Sequence, residues 1–154
     1  MSGNFSGGVL RVDRLAACGY RQDVLKLCSS HNGAMEDGMA KNEIKEKSDE
    51  FFEYTAQFGQ KYPEISQSFM ALMGSVMEDG ALKTKEKELI ALGIAVGLRC
   101  LPCIYAHTSA ALGMGASPEE IMEAASVAIL MAGGPGMAHV IEVMKAIEAF
   151  SQQP

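Results

Sequence analysis

Two thiols and an imidazole stand close together at Cys100-Leu-Pro-Cys103-Ile-Tyr-Ala-His107. Cysteines separated by two residues can close a disulfide or share a metal ion. A histidine four positions after Cys103 lies on the same face if the segment is helical. Thiol chemistry needs a thiolate and a proton acceptor, and this segment can supply both.

Pro102 suits the first position of a helix, which puts Cys103 in the first turn. Unpaired backbone N–H groups and the positive end of the helix dipole favour a thiolate there. Cys103 is therefore the candidate attacking sulfur, and Cys100, just ahead of the helix, the candidate resolving thiol. His107 can accept the thiol proton or relay it. Glu88 lies upstream, in the preceding helix. At 1.5 Å per residue it sits about 16 Å from the end of a straight helix, and His107 about 9 Å into the returning one. The offset of roughly 7 Å must be bridged by long side chains, a water or a steep crossing. A carboxylate so placed orients the imidazole; a solvated glutamate in a first helical turn is the alternative.

Three further readings stand beside these. Cys100, Cys103 and His107, with His139 as a fourth ligand, are the only metal-site candidates. A structural zinc site would want a second knuckle pair, so no metal and no cofactor are expected. Tyr105 points away from the Cys103–His107 face and reads as packing. His139 follows Gly133-Gly134-Pro135-Gly136 and reads as a capping or interface residue.

The elements that must position these groups are helices. From Lys41 the apolar spacing is helical almost without interruption. Ile44, Phe51, Phe52, Tyr54, Thr55 and Phe58 mark the first stripe, which ends between Gly59 and Pro63. A second helix runs from Pro63 to about Glu78, with Phe69, Met70, Leu72, Met73 and Val76 as its expected buried side. Thr84 caps a third, running to about Arg99. The fourth opens at Pro102 and closes at Gly113-Met114-Gly115. Ser117-Pro118-Glu119-Glu120 carries cap, first-position proline and capping-box glutamate for a fifth. The last runs from about Met137 to Phe150. No segment alternates with β-branched enrichment, so the fold class is all-α: a compact antiparallel bundle of about six helices. Alanine and glycine are dense in the later helices. Small residues leave less apolar area to bury within one chain, which favours association between subunits.

Residues 1–40 differ from residues 41–154. They open on a Ser/Gly-rich stretch and show only weak helical spacing, so they read as an extension loosely packed on the domain, or as non-native, with Met39 a sensible start. Cys18 and Cys28 have no partner signal beside them and read as incidental; His31 reads as a solvated loop residue. At 154 residues the chain is one domain by size, and 48% hydrophobic residues can build a core. A net charge of −6 argues against nucleic acid as partner. The longest apolar run, Leu89 to Leu98, is half of the roughly 20 residues that span a bilayer, and no signal pattern opens the chain, so no membrane is expected and the protein reads as cytoplasmic. Eleven methionines without tryptophan suit a pliable helical core.

Glu88 followed by Cys100-x-x-Cys103-x-x-x-His107 resembles the signature of the carboxymuconolactone decarboxylase superfamily, and within it the AhpD-like alkylhydroperoxidase branch. The resemblance covers roughly Ile44 to Phe150. It implies a thiol-dependent peroxidase with Cys103 peroxidatic, Cys100 resolving, and Glu88 and His107 as the proton relay. It implies a small-molecule peroxide as substrate, an external thiol or dithiol as reductant, and a homotrimer or homohexamer. The decarboxylase branch gives the alternative, a lyase acting on a small lactone acid with His107 or Glu88 as acid/base. At one point the chain departs from the pattern: alkylhydroperoxidase D has a histidine where this chain has Pro102, so any proton that histidine carries is absent here.

Overall fold

A computed structural model describes residues 34–151. The readings made at Cys18, Cys28 and His31, and most of the extension, lie outside the described residues. Six helices follow in order: α1 (Ala34–Lys61), α2 (Pro63–Met77), α3 (Thr84–Leu98), α4 (Leu101–Gly113), α5 (Pro118–Ala132) and α6 (Gly134–Phe150). No strand occurs among the described residues.

The helix starts show why these segments fold locally. Ser117 Oγ accepts the Glu120 N–H at 3.2 Å, while the Glu120 carboxylate accepts the Ser117 N–H at 2.8 Å. This reciprocal box satisfies two otherwise orphaned donors at the head of α5. The same glutamate pairs with Lys85 of α3 at 2.8 Å, which ties the two helix starts together. Thr84 is the first residue of α3 rather than its cap: Lys83 precedes it, with its N–H held by the Glu86 carboxylate. The Thr84 hydroxyl instead donates to the Met77 carbonyl at 2.9 Å, closing the corner between α2 and α3.

α1 begins at Ala34, ahead of the Lys41 expected, and the starts of α4 and α6 also lie earlier than the residue pattern suggests. α4 begins at Leu101 and α6 at Gly134, so Pro102 and Pro135 each take a second position. The missing proline N–H has no intrahelical partner in any of the first four positions, so either register is allowed. Gly133 turns the chain with φ +62°, a backbone state open to glycine at little cost. Gly136 lets α6 approach α5 closely, because a Cβ there would stand 2.8 Å from the Ala128 carbonyl oxygen.

The core is closed by α3 to α6. α3 packs on α4 and α5, and α6 closes the far side on the same two, with thin contacts across the diagonals. Leu92, Val96, Ile104, Ile121 and Val143 are fully buried at the centre. Each such side chain contributes roughly 1.5–3 kcal/mol of transfer free energy. Ala95, Ala111, Ala125, Ala128, Ala146 and Ala149 fill the rest, so the helices lie close and the core is thin.

α2 does not follow the expected pattern. Phe69, Met70, Leu72, Met73 and Val76 are all exposed, and α2 buries no residue. The aromatic residues of α1 beyond Ser48 are exposed as well; only Ile44 and Ser48 of that helix are buried among the described side chains. An apolar stripe specifies that a helix wants cover, and the described residues do not supply it here. Among the described residues no helix is long and apolar enough to cross a membrane.

Candidate active site

The site is built at the reversal between α3 and α4. α3 stops because Arg99 turns left-handed, with φ 60° and ψ 34°. That turn lets the Arg99 N–H reach the Val96 carbonyl at 3.1 Å and the Cys100 N–H reach the Ala95 carbonyl at 3.0 Å, satisfying the last carbonyls of α3. Cys100 is then extended and serves as the residue before α4, and its carbonyl accepts the Ile104 N–H at 2.9 Å. The reversal is thus two residues long, and it sets α4 beside α3.

Cys100 and Cys103 are joined by a disulfide, their Cα atoms 5.2 Å apart. Cys103 lies within the first turn of α4 and packs against the edge of the core. The backbone N–H groups of that first turn have no partner within the helix. His107 is one turn further along the same face. Its Nδ1 stands 2.7 Å from Oε2 of Glu88. Glu88 is buried, at 8% exposure, among Leu92, Ala95 and Val96 on the inner face of α3. The His107 side chain is more open, at 29%.

The tautomer follows from this contact. A carboxylate accepts only, so the Nδ1 proton of a neutral His107 points at Glu88 and Nε2 is left as the free base. The imidazole and the carboxylate singled out on sequence therefore meet, and the two thiols are joined to each other one helical turn along α4. The axial offset counted between Glu88 and His107 is closed by the reach of the two side chains alone.

The remaining candidates lie elsewhere. Tyr105 is 3% exposed and donates its hydroxyl to Oε2 of Glu142 on α6 at 3.0 Å. Burial first, then the Glu142 carboxylate beside it, push the Tyr105 phenol up to about 12. Burial also pushes the Glu142 carboxyl up, but hydrogen bonds from Lys145 and Tyr105 outweigh it and hold the group below the usual carboxylate range. The role of Glu142 has no signal in the sequence, since it depends on which helix faces α4. The His139 ring is bonded through Nδ1 to the Pro135 carbonyl at 2.9 Å, one turn back on its own helix. No cluster of three or more His, Cys, Asp or Glu side chains is placed to hold a metal ion among the described residues.

Comparison with known proteins gives the same frame. Residues 63–146 match the sequence profile of the carboxymuconolactone decarboxylase family. An uncharacterised protein of Cupriavidus necator is 34% identical over 93 residues, spanning 60% of this chain and 82% of that protein. A protein from the cox locus of Paracoccus denitrificans is 38% identical over 84 residues, spanning 54% and 76%. The crystal structure of a carboxymuconolactone decarboxylase family protein from Legionella pneumophila superposes with a TM-score of 0.70 at 32% identity, covering 72% of this chain and 99% of that one. A second family member, from Thermotoga maritima and described with a suggested part in an antioxidative response, gives 0.63 at 28% identity over 69% and 91%. With its fold and more than half its length matched, the chain belongs to the carboxymuconolactone decarboxylase family.

Proposed function

We propose that the protein is a thiol-dependent peroxidase working through Cys100 and Cys103 with Glu88 and His107 as proton relay. The observation that carries this reading is the direct Glu88–His107 contact at 2.7 Å, one helical turn beyond a reducible cysteine pair. A disulfide with no proton-handling group beside it would fit a structural staple equally well.

The steps follow from the geometry and balance as written. In the reduced form, His107 takes the Cys103 proton on Nε2 while Glu88 holds the Nδ1 proton. The Cys103 thiolate attacks one peroxide oxygen, the O–O bond breaks, and Cys103 becomes a sulfenic acid. The leaving alkoxide receives its proton from His107. The Cys100 thiol then attacks the Cys103 sulfur, expelling water and forming the disulfide. Peroxide and two protein thiols thus give an alcohol, water and one disulfide. An external thiol or dithiol reopens it by exchange, with Cys103 as the favoured leaving group because its thiolate is the stabilised one. Such cycling requires a reducing compartment, and the cytoplasm is the one this reading implies. The family description from Thermotoga maritima supports the same direction.

Stopped-flow consumption of hydrogen peroxide and cumene hydroperoxide by the reduced protein tests the reading. Cys103→Ser is expected to lower the rate on the order of a thousandfold or more, as removal of a nucleophile does. Cys100→Ser is expected to allow one turnover and then stall as a sulfenic acid. Full activity in Cys103→Ser would sink the proposal. One feature supports a lyase on a small lactone acid as the second reading: Glu88 and His107 form an acid/base pair that needs neither thiol. Lactone turnover that survives replacement of both cysteines would favour it.

A further inference from the structure

Arg99 stands immediately ahead of Cys100, with its side chain exposed. Among the described residues it makes no ion pair, whereas Lys47, Lys83, Lys85 and Lys145 each pair with a carboxylate. The chain carries a net charge of −6, so an unpaired cation beside the disulfide runs against its overall balance.

The helix ends around Arg99 supply no acid. Lys85 meets Glu120 at the heads of α3 and α5, and further along a Cβ on Gly93 would stand 3.3 Å from the Ala124 carbonyl oxygen. Those two helices therefore run in parallel, and their last turns share one end of the core with the starts of α4 and α6. α3 has no carboxylate after Glu88, α4 has none, α5 has none after Glu123, and α6 has none before Glu142. Glu88 is about 16 Å back along α3, beyond the roughly 10 Å over which exposed charges act in 0.1 M salt. α4 and α6 also open without an acid in their first turns, unlike α2, α3 and α5. Their positive ends add to the field of Arg99. The disulfide of an acidic chain thus lies at a positive end of its core.

The two sulfurs are placed differently. Cys103 packs against the edge of the core, and Cys100 precedes the helix, next to Arg99. We propose, resting on the reading of Cys100 and Cys103 as a cycling pair, that Arg99 determines specificity in the reductive half of that cycle. The reductant it selects is a small thiol that carries a carboxylate or another anionic group near its sulfur. A first thiolate attacks the Cys100 sulfur, the disulfide breaks, and Cys103 leaves as a thiolate. A second thiolate attacks the reductant's sulfur in the mixed disulfide, and Cys100 leaves in turn. Two thiols become one disulfide, and the protons they lose return to Cys100 and Cys103. Both attacks occur at the cysteine beside Arg99, whose charge concentrates anions there.

The test uses the full chain in its disulfide form, with no peroxide present. Acid-quenched mass spectrometry follows its reduction by 3-mercaptopropionate, 2-mercaptoethanol and cysteamine, whose thiolates are doubly negative, singly negative and zwitterionic. The ratio of wild-type to variant rate for one thiol cancels that thiol's own acidity and nucleophilicity. Arg99→Asn removes the charge and keeps a residue that tolerates the left-handed backbone. It should slow 3-mercaptopropionate about tenfold and 2-mercaptoethanol about threefold at low salt, and cysteamine least. Arg99→Lys should restore the wild-type order. In wild type the preference should fade in about 1 M salt, where screening acts within roughly 3 Å. Equal losses for all three thiols, no loss for any, a lysine variant that behaves as the asparagine one, or wild-type rates indifferent to salt would each overturn the proposal. A carboxylate on the peroxide is the other source of the same chemistry. The reduced variants are therefore mixed with linoleate hydroperoxide and with its methyl ester, and a charge-dependent loss confined to that arm also overturns it. Failure of the reduced protein to consume peroxide would sink the peroxidase reading and leave the thiol ranking readable on its own.

Discussion

Two glutamates reach rings on α4 from different neighbouring helices. Glu88 of α3 holds His107, and Glu142 of α6 holds Tyr105. The two rings are about 160° apart around α4, so one helix serves both seams. The contacts resemble each other in length and partner type, yet their surroundings differ. Glu142 also accepts a hydrogen bond from Lys145 at 2.9 Å, and its ring partner is sealed from water. Glu88 has no lysine or arginine partner among the described residues, its ring partner is open to solvent, and a disulfide lies one turn away. The first arrangement is a neutralised tie between helices. The second leaves an imidazole nitrogen free beside a reducible bond. Chemical type alone does not distinguish them; what else touches each carboxylate does.

The difference can be broken by exchanging what each pair loses. His107→Gln should have the largest effect, lowering kcat/KM for peroxide about 10²–10⁴-fold, the usual contribution of a positioned acid/base group. Its thermal unfolding midpoint should barely move, since a partly open imidazole adds little to the fold. Glu88→Gln should cost less, roughly 10–100-fold, because the amide still bonds the ring but no longer enforces the tautomer with a charge. It should also alter the pH profile of the rate, which a purely structural glutamate would not do. If either variant lowers stability and leaves the rate intact, Glu88–His107 is a tie like its counterpart.

Tyr105→Phe should behave in the opposite way. It should leave peroxide turnover unchanged and cost about 1 kcal/mol of stability at neutral pH, the net worth of one hydrogen bond. The sign of its pH dependence follows from the native pKa. The phenol keeps its proton up to about 12 in the fold, against a reference value of 10.0. A native pKa raised in this way contributes stability that is complete below pH 10 and is lost as pH rises towards 12. Chemical denaturation of wild type across that window should show the loss, and Tyr105→Phe should flatten it. An equal slope in the variant would assign the alkaline loss to other groups.

What was legible in the sequence follows the same division. Cys103 and His107 could be related because they share one helix, where spacing alone fixes the face, and Cys100 because it immediately precedes that helix. For Glu88 the helix count left an axial offset of roughly 7 Å and a solvated glutamate as the alternative, and it was the family resemblance that joined it to them. The Tyr105–Glu142 contact was not legible: the two residues are 37 positions apart and meet only because α6 is the helix that packs there. The helices themselves, and the capping box at Ser117 and Glu120, were readable because their signals are local. The exposure of α2 was not. Its periodicity requires an apolar partner and says nothing about which molecule provides it.

Arg99 offers the smallest change, because its backbone sets where α4 starts after α3 and its side chain has no part in the Tyr105–Glu142 contact. It is the only non-glycine residue with positive φ among those described. A side chain in the left-handed region costs roughly 1–2 kcal/mol, and glycine is the usual occupant of this position after a helix. Arg99→Gly removes that strain but adds freedom to the unfolded chain, which takes back about 0.4–1 kcal/mol. The expected net result is a gain of about 0.5 kcal/mol, read as a small upward shift in the denaturation midpoint with an unchanged slope. Arg99→Val tests the same argument from the other side: a β-branched residue resists this conformation more strongly than arginine, so it should destabilise by about 1 kcal/mol. If the turn only joins the helices, Arg99→Gly should keep the Glu88–His107 contact and full peroxide turnover. A loss of turnover in a stabilised protein would mean that the arginine side chain itself serves the site.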